Sequence, residues 1–311
     1  MRVLSLFDGM GGARQALKDL NIQVKGYVAS EINKYATKIS KKNHSDITHV
    51  GDITNVDTTI NFIFGPFDLI IGGSPCQELS IAKNNRKGLA GTRSGLFWEM
   101  ARIISEFKPK YFFVENVASM SKESKSIITR TLGVEPILIN SALLTAQNRK
   151  RLYWTNIPNV SLPKDKHVYL KDILDTGFTE RNKAFPITRT YANAVLRDYF
   201  YKSNRQLVFN KPVKITYIGK GGQAQRIYSI EGKSVTLSAN GGGAGAKTGL
   251  YAIPSTIKPF VRKLTPIECE ILQGLKDNYT EGVSNTQRYK MIGNGFTIPI
   301  IAHILSFIKG T

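Results

Sequence analysis

Residues 67–80 read FDLIIGGSPCQELS. The apolar run at Phe67, Leu69, Ile70 and Ile71 has the density of a strand buried on both faces, as in a parallel sheet. It breaks at Gly72-Gly73, and the turn that follows carries Pro75-Cys76. Open α/β sheets place their chemistry at the carboxyl ends of such strands. Pro75 fixes its own φ and restricts Ser74, so the approach to the thiol is stiff. A buried structural cysteine has the same local signature, and only the rest of the chain separates the two readings.

Upstream, Arg2 to Phe7 reads as a short apolar strand running into Asp8-Gly9-Met10-Gly11-Gly12. A helical pattern follows through Ala13, Ala16, Leu17 and Leu20. Strand, glycine turn and helix make the geometry of a nucleotide-type cofactor site. The glycine spacing departs from GxGxxG, and alone it is a weak signal. A second strand from about Val24 to Ser30 ends at Glu31, where an acid can bind ribose hydroxyls or merely favour a helix start. A third, near Ile47 to Val50, ends in Gly51-Asp52-Ile53. Asp52 there could accept from an adenine amino group or cap the next helix.

Downstream, Ile81 to Gly95 contains Lys83, Arg86, Lys87 and Arg93 and no acid. It reads as a basic loop beside the thiol, of the kind that closes active sites. A helix over Leu96 to Phe107 and a strand over Tyr111 to Val114 then deliver Glu115-Asn116 to the edge that carries Cys76. A carboxylate so placed could serve as an acid or base. Alternation along Gln147-Asn148-Arg149-Lys150-Arg151 puts Gln147, Arg149 and Arg151 on one side of an extended segment. Paired arginines suit carbonyl, carboxylate or phosphate recognition.

From about Asn156 the strand–helix rhythm is lost. Residues 156–260 carry 16 Lys/Arg and 6 Asp/Glu, half of the chain's net charge of +20. This looks like a separate small domain with a basic face, with short β-like runs at Lys214 to Ile218 and Val235 to Leu237. Helices are expected again at Leu264 to Leu275 and Ile298 to Ile308. With 311 residues and 41% apolar content the chain can bury a large core. Its basic balance favours a polyanionic partner, nucleic acid before membrane. The two cysteines, Cys76 and Cys269, form no zinc or disulfide pattern, so no metal is expected. No stretch is long enough to span a bilayer, and a soluble, cytoplasmic protein is expected.

Taken together, these segments resemble the cytosine-C5 DNA methyltransferase family along nearly the whole chain outside the middle of the small domain. FDGMGG (Phe7 to Gly12), GSPCQELS (Gly73 to Ser80), ENV (Glu115 to Val117), QNRKR (Gln147 to Arg151), RKLTPIECEILQG (Arg262 to Gly274) and GNGF (Gly293 to Phe296) follow in the family's order. Phe296 stands where the family usually has a smaller apolar residue, a departure that touches packing near the cofactor. The nucleophile and ENV motifs look like the animal de novo subgroup, and the glycine-rich small domain looks like phage and bacterial members.

The resemblance implies an α/β fold: a Rossmann-like S-adenosylmethionine-dependent methyltransferase with a mixed sheet and helices on both faces, plus a smaller, mostly irregular or β target-recognition domain. Residues 1–157 and 285–311 would form the catalytic domain and 158–284 the recognition domain. It implies methyl transfer from S-adenosylmethionine to C5 of a flipped-out cytosine in duplex DNA. Cys76 would add to C6, Glu115 would stabilise protonation at N3, and Arg151 would hold O2 with Arg149 in support. Cofactor contacts would come from Phe7, Asp8, Gly9, Gly11, Gly12, Glu31, Asp52, Ile53, Pro75 and Asn294. DNA contacts would come from Gln77, Ser80, Lys83, Arg86, Lys87, Arg93 and Arg226. A monomer is expected, in a bacterial cell or encoded by a phage, with a cognate restriction endonuclease as an optional separate partner. A nicotinamide oxidoreductase would leave ENV, QNRKR and the basic insertion unexplained. A dead homologue should have lost Cys76, Glu115 or the arginines. An RNA cytosine-C5 methyltransferase is the nearest rival, because one subgroup modifies transfer RNA with the same motifs.

Overall fold

The computed structural model describes residues 1–75, 95–177, 179, 181–209 and 261–308. Strands β1 (Arg2–Leu6), β2 (Gly26–Ser30), β3 (Ile47–Gly51), β4 (Leu69–Gly72), β5 (Tyr111–Val117), β6 (Ile137–Asn140) and β7 (Lys150–Thr155) form one sheet, in the order β3-β2-β1-β4-β5-β7-β6. The first five are parallel, and β7 runs antiparallel to both β5 and β6. The chain winds outward from β1 to β3 on one side and from β4 on the other. The β1/β4 junction is therefore the topological switch point, where a crevice opens at the carboxyl ends of the strands.

Side chains alternate cleanly across the sheet, as the two-residue period of a strand requires. Val3, Tyr27, Ala29, Leu69, Ile71, Phe113 and Tyr153 join one core cluster. Leu4, Leu6, Val28, Ile70, Phe112, Val114, Leu152 and Trp154 join the other. The first face is covered by α1 (Gly12–Asp19), α2 (Lys34–Asn43) and α9 (Ile298–Leu305). The second is covered by α4 (Leu96–Phe107) and α5 (Lys122–Leu132), with α3 (Ile60–Phe64) at its edge. A core on each face is what makes the central strands read as continuous apolar runs.

After β7 the chain becomes irregular, with α6 (Leu196–Phe200) and a two-stranded antiparallel pair of β8 (Leu207–Phe209) with β9 (Val261–Lys263). It returns through α7 (Pro266–Leu272) and α8 (Asn285–Asn294). Thr265 starts α7 with a capping box against Glu268 and Pro266 in the first turn, and Gly274 ends the turn beyond it at φ +74°. This trims the expected 264–275 helix at both ends. The first core cluster runs without a break from β1 and α9 through Leu170, Ile187 and Tyr191 to Leu264 and Leu272. The small region thus shares its apolar interior with the sheet.

Other boundaries differ from the sequence reading as well: α9 ends at Leu305, not Ile308. β2 begins at Gly26, not Val24. β5 continues through Glu115 and Asn116 to Val117, because β7 pairs along it as far as Val117 opposite Arg151. The β-like runs expected at 214–218 and 235–237 lie outside the described residues. Among the described residues no helix is long and apolar enough to cross a membrane, and no group of His, Cys, Asp and Glu is arranged to hold a metal ion.

Candidate active site

The glycine turn leaves β1 in a conformation few side chains adopt. Phe7 has φ +57°, in the left-handed region, and Asp8 N then donates to Ser30 O across to β2. Gly9 N donates to Glu31 Oε2 at 2.9 Å, and Asn33 N donates to Glu31 Oε1 at 2.7 Å. Glu31 therefore ties the turn through one carboxylate oxygen to the start of α2 through the other. Gly11, at φ +84°, sits at the start of α1, and a Cβ there would lie 2.9 Å from His44 Cδ2 and 3.1 Å from Ser40 Oγ. The Cα hydrogen of Gly11 that a side chain would replace faces His44 and Ser40, so a glycine here lets α1 pack tightly against α2. The turn is also held from the far end of the chain. Tyr279 donates its hydroxyl hydrogen to Met10 O at 3.0 Å and lies 3.0 Å from His44 Nε2. With that hydrogen engaged, the hydroxyl accepts from a neutral His44 protonated on Nε2.

The stretch after β4 is shaped by close approach. A Cβ on Gly72 would meet Leu6 O of β1 at 2.3 Å, and one on Gly73 would lie 3.0 Å from Glu115 Oε2 and 3.3 Å from Phe296 Cε1. Ser74 is buried, and Asn116 Nδ2 donates to its Oγ at 3.1 Å and its carbonyl at 3.5 Å. Pro75 completes this wall of the crevice. Cys76 follows it in the chain and lies outside the described residues, as do Gln77, Ser80, Lys83, Arg86, Lys87, Arg93 and Arg226. Cys269 is fully buried on α7, and burial pushes its thiol well above the ordinary range, so it is not a thiolate nucleophile.

Opposite stand the acid and the arginines. Arg151 Nε lies 2.8 Å from Glu115 Oε1, a pair spanning the β5–β7 ladder. Arg149 is buried, and its guanidinium donates to the carbonyls of Ile187, Gly293 and Gly295. It thus ties the segment after α8 and a loop of the small region to the sheet. Gln147 meets the same Ile187 backbone as Arg149. It is fully buried, donates to Leu272 O and accepts from Ile187 N.

These walls enclose a cavity of about 330 Å³ at the switch point. Of the expected cofactor residues, Phe7, Asp8, Gly9, Gly12, Glu31, Asp52, Ile53, Pro75 and Asn294 line it, and Glu115, Arg149 and Arg151 share the same cavity. Asp52 Oδ1 accepts from Thr54 N and Thr54 Oγ1, both at 2.9 Å, so the residue caps a short helical turn while facing the crevice. The lining mixes apolar residues Phe7, Ile32, Ile53, Met291 and Phe296 with the acidic residues Glu31 and Asp52. That combination fits an amphipathic, cationic nucleoside such as S-adenosylmethionine, with acids for hydroxyl and amino groups and an apolar seat for the base. Sequence reasoning missed Asn116 as the anchor of Ser74, although it stands inside the quoted ENV. It also missed Tyr279, whose contacts lie more than 200 residues away along the chain.

Comparison with known proteins follows the same lines. The sequence model of the C-5 cytosine-specific DNA methylase family matches residues 1–310. The chain is 31% identical to the Type II methyltransferase M.HhaI of Haemophilus parahaemolyticus, over 98% of this chain and 93% of that protein. It is 30% identical to the Type II methyltransferase M.HpaII of Haemophilus parainfluenzae, over 96% of this chain and 86% of that one. Among solved structures, the Entamoeba histolytica methyltransferase EhMeth superposes with a TM-score of 0.69 at 17% identity, covering 99% of this chain and 97% of its own. The Schizosaccharomyces pombe Dnmt2 methyltransferase does so at 0.64 and 17%, covering both chains fully.

Proposed function

The chain belongs to the C-5 cytosine-specific DNA methylase family, and on that premise we propose that its substrate is a cytosine within a specific sequence of double-stranded DNA. It is a C5-cytosine methyltransferase that uses S-adenosylmethionine. The bound cofactor supplies the electrophilic methyl group. Everything else falls to the chain's own side chains. In this reading the Cys76 thiolate adds to C6 of the flipped base, which makes C5 nucleophilic. Glu115, held by Arg151, stabilises the proton on N3, and Arg151 faces O2. Arg149 keeps the loop after α8 in register with them. Glu31 and Asp52 hold the ribose hydroxyls and the adenine amino group. The basic residues Lys83, Arg86, Lys87, Arg93 and Arg226, with Gln77 and Ser80, meet the nucleic acid. The division into a catalytic part, 1–157 with 285–311, and a recognition part, 158–284, belongs to the same proposal. So do the animal de novo likeness of the nucleophile motif, a bacterial or phage source, a monomeric state and a separately acting restriction endonuclease.

The observation that carries duplex DNA is the end-to-end likeness to Type II methyltransferases at about the same length. A second reading, cytosine C5 in transfer RNA, draws on the likeness of the fold to the Dnmt2 methyltransferases. The net charge of +20 suits both polyanions alike. Purified protein with radiolabelled S-adenosylmethionine, offered duplex DNA and transfer RNA separately, decides between them. Label in DNA at a single recurring sequence, mapped by bisulfite conversion, is the expected result. Label in RNA alone overturns the DNA reading in favour of the second.

A further inference from the structure

The segment from Gly293 to Phe296 runs from the last turn of α8 to the start of α9, and all four of its residues line the cavity. The last four carbonyls of a helix have no partner within it. Two of those of α8 are met from elsewhere: Arg149 donates to Gly293 O, and Gln273 Nε2 donates to Ile292 O at 2.7 Å. Gln273 is fully buried just beyond α7, and it also holds the far end of the segment. Its Oε1 accepts from Thr297 Oγ1 at 2.8 Å, and its backbone carbonyl accepts from Ile298 N at 2.8 Å. The next residue, Gly274, leaves room for this approach: a Cβ there would lie 2.2 Å from Pro299 Cδ.

Thr297 stands at the N-cap of α9, where a threonine hydroxyl ordinarily accepts from an amide of the first turn. It makes no such bond. Instead it donates to Gln273 and accepts from Ser141 Oγ at 3.0 Å, and Ser141 N donates to Arg149 O at 2.9 Å. The bonds form a ring around the segment, from Arg149 through Ser141, Thr297 and Gln273 to Ile292 O, and back to Arg149 through Gly293 O. Ser141, Thr297 and Gln273 are buried, so water does not replace a lost partner. A helix that gives up its own cap to hold a cavity wall breaks a local rule in the way functional sites do. The ring closes only if residue 273 offers one donor and one acceptor, because Ile292 O can only accept and the Thr297 hydroxyl donates; a glutamine amide supplies both. Resting on the cofactor assignment above, we propose that Gln273 is a positioning residue, which acts through Ile292 and Thr297 to hold Asn294 and Phe296 in place for S-adenosylmethionine.

Calorimetry of the full-length protein with S-adenosylmethionine reads the effect as a dissociation constant, and urea unfolding of the same samples shows that each variant is folded. Gln273→Met keeps the volume and removes both side-chain bonds. A segment in register only about a tenth of the time raises the apparent dissociation constant about tenfold, which is the expected loss. Thr297→Val should weaken binding to a similar degree, and Thr297→Ser, which keeps the hydroxyl, should restore it. The Thr297 pair decides the matter should Gln273→Met not fold. Because Gln273→Met and Thr297→Val cut the same link, the double variant should stay near about tenfold instead of the roughly hundredfold of independent changes. Wild-type affinity in folded Gln273→Met or Thr297→Val, equal weakening by Thr297→Val and Thr297→Ser, or losses that multiply in the double variant each overturns the inference while leaving the cofactor assignment intact. Failure of the wild type to bind S-adenosylmethionine overturns the cofactor assignment itself.

Discussion

Asp8 and His44 lie on either side of the glycine turn, and folding displaces their protonation in opposite directions. Burial raises Asp8 from 3.8 to about 6. Burial, with the positive charges of Arg14 and Lys18, lowers His44 from 6.5 to about 4. Asp8 thus contributes stability that is complete below 3.8 and lost as pH rises through about 6. His44 contributes stability that is complete above 6.5 and lost as pH falls through about 4. Between about pH 4 and 6 the folded pair holds its proton on Asp8 and the unfolded pair holds it on His44, so the two slopes cancel. Each displacement taken alone is worth about 3 kcal/mol. Removing one partner exposes the other. Urea-unfolding free energies measured from about pH 4 to about pH 7, with the wild-type value subtracted at each pH, isolate the pair from the remaining carboxylates. The Asp8→Asn difference should rise with pH by about 2–3 kcal/mol. The His44→Gln difference should fall with pH by a similar amount, since glutamine can still donate to Tyr279. Differences that are flat, or that share one sign, would refute the opposed displacement of the two groups.

Gly73→Ala places a Cβ 3.0 Å from Glu115 Oε2 and 3.3 Å from Phe296 Cε1. It should cut methyl transfer at least tenfold while moving the unfolding midpoint little; unchanged turnover in a folded variant counts against the site. Tyr279→Phe leaves Met10 O and His44 Nε2 without their buried partner. It should cost about 1–3 kcal/mol by urea unfolding, and a loss under about 0.5 kcal/mol would show that the strut is dispensable. Glu31→Ala should weaken S-adenosylmethionine binding more than Asp52→Ala, because Glu31 also clamps Gly9 and Asn33. The reverse order by calorimetry would reassign the two acids.

The sheet was legible because its strands are covered on both faces and so read as unbroken apolar runs, as at Leu69 to Ile71. The carboxyl-edge residues Glu31, Asp52 and Glu115 followed from the ends of those runs. Gly72 was read as a strand break, whereas it belongs to β4 and is small because Leu6 O passes close beside it. No local pattern carries that contact between strands more than 60 residues apart. The hydroxyl and imidazole cluster of Tyr27, Ser40, His44 and Tyr279 is assembled from three distant segments, and polar residues scattered at those separations have no periodicity to betray them.

Trapping the covalent intermediate tests the central claim most directly. Fluorine at C5 cannot leave as a cation, so a protein that adds Cys76 to C6 and methylates C5 cannot eliminate the product. A target duplex containing 5-fluorocytosine, with S-adenosylmethionine, should give a protein–DNA band that survives SDS. Cys76→Ser should abolish it and Cys269→Ser should retain it. A band that persists in Cys76→Ser, or no band from the folded wild-type protein with either DNA or RNA, would contradict the account.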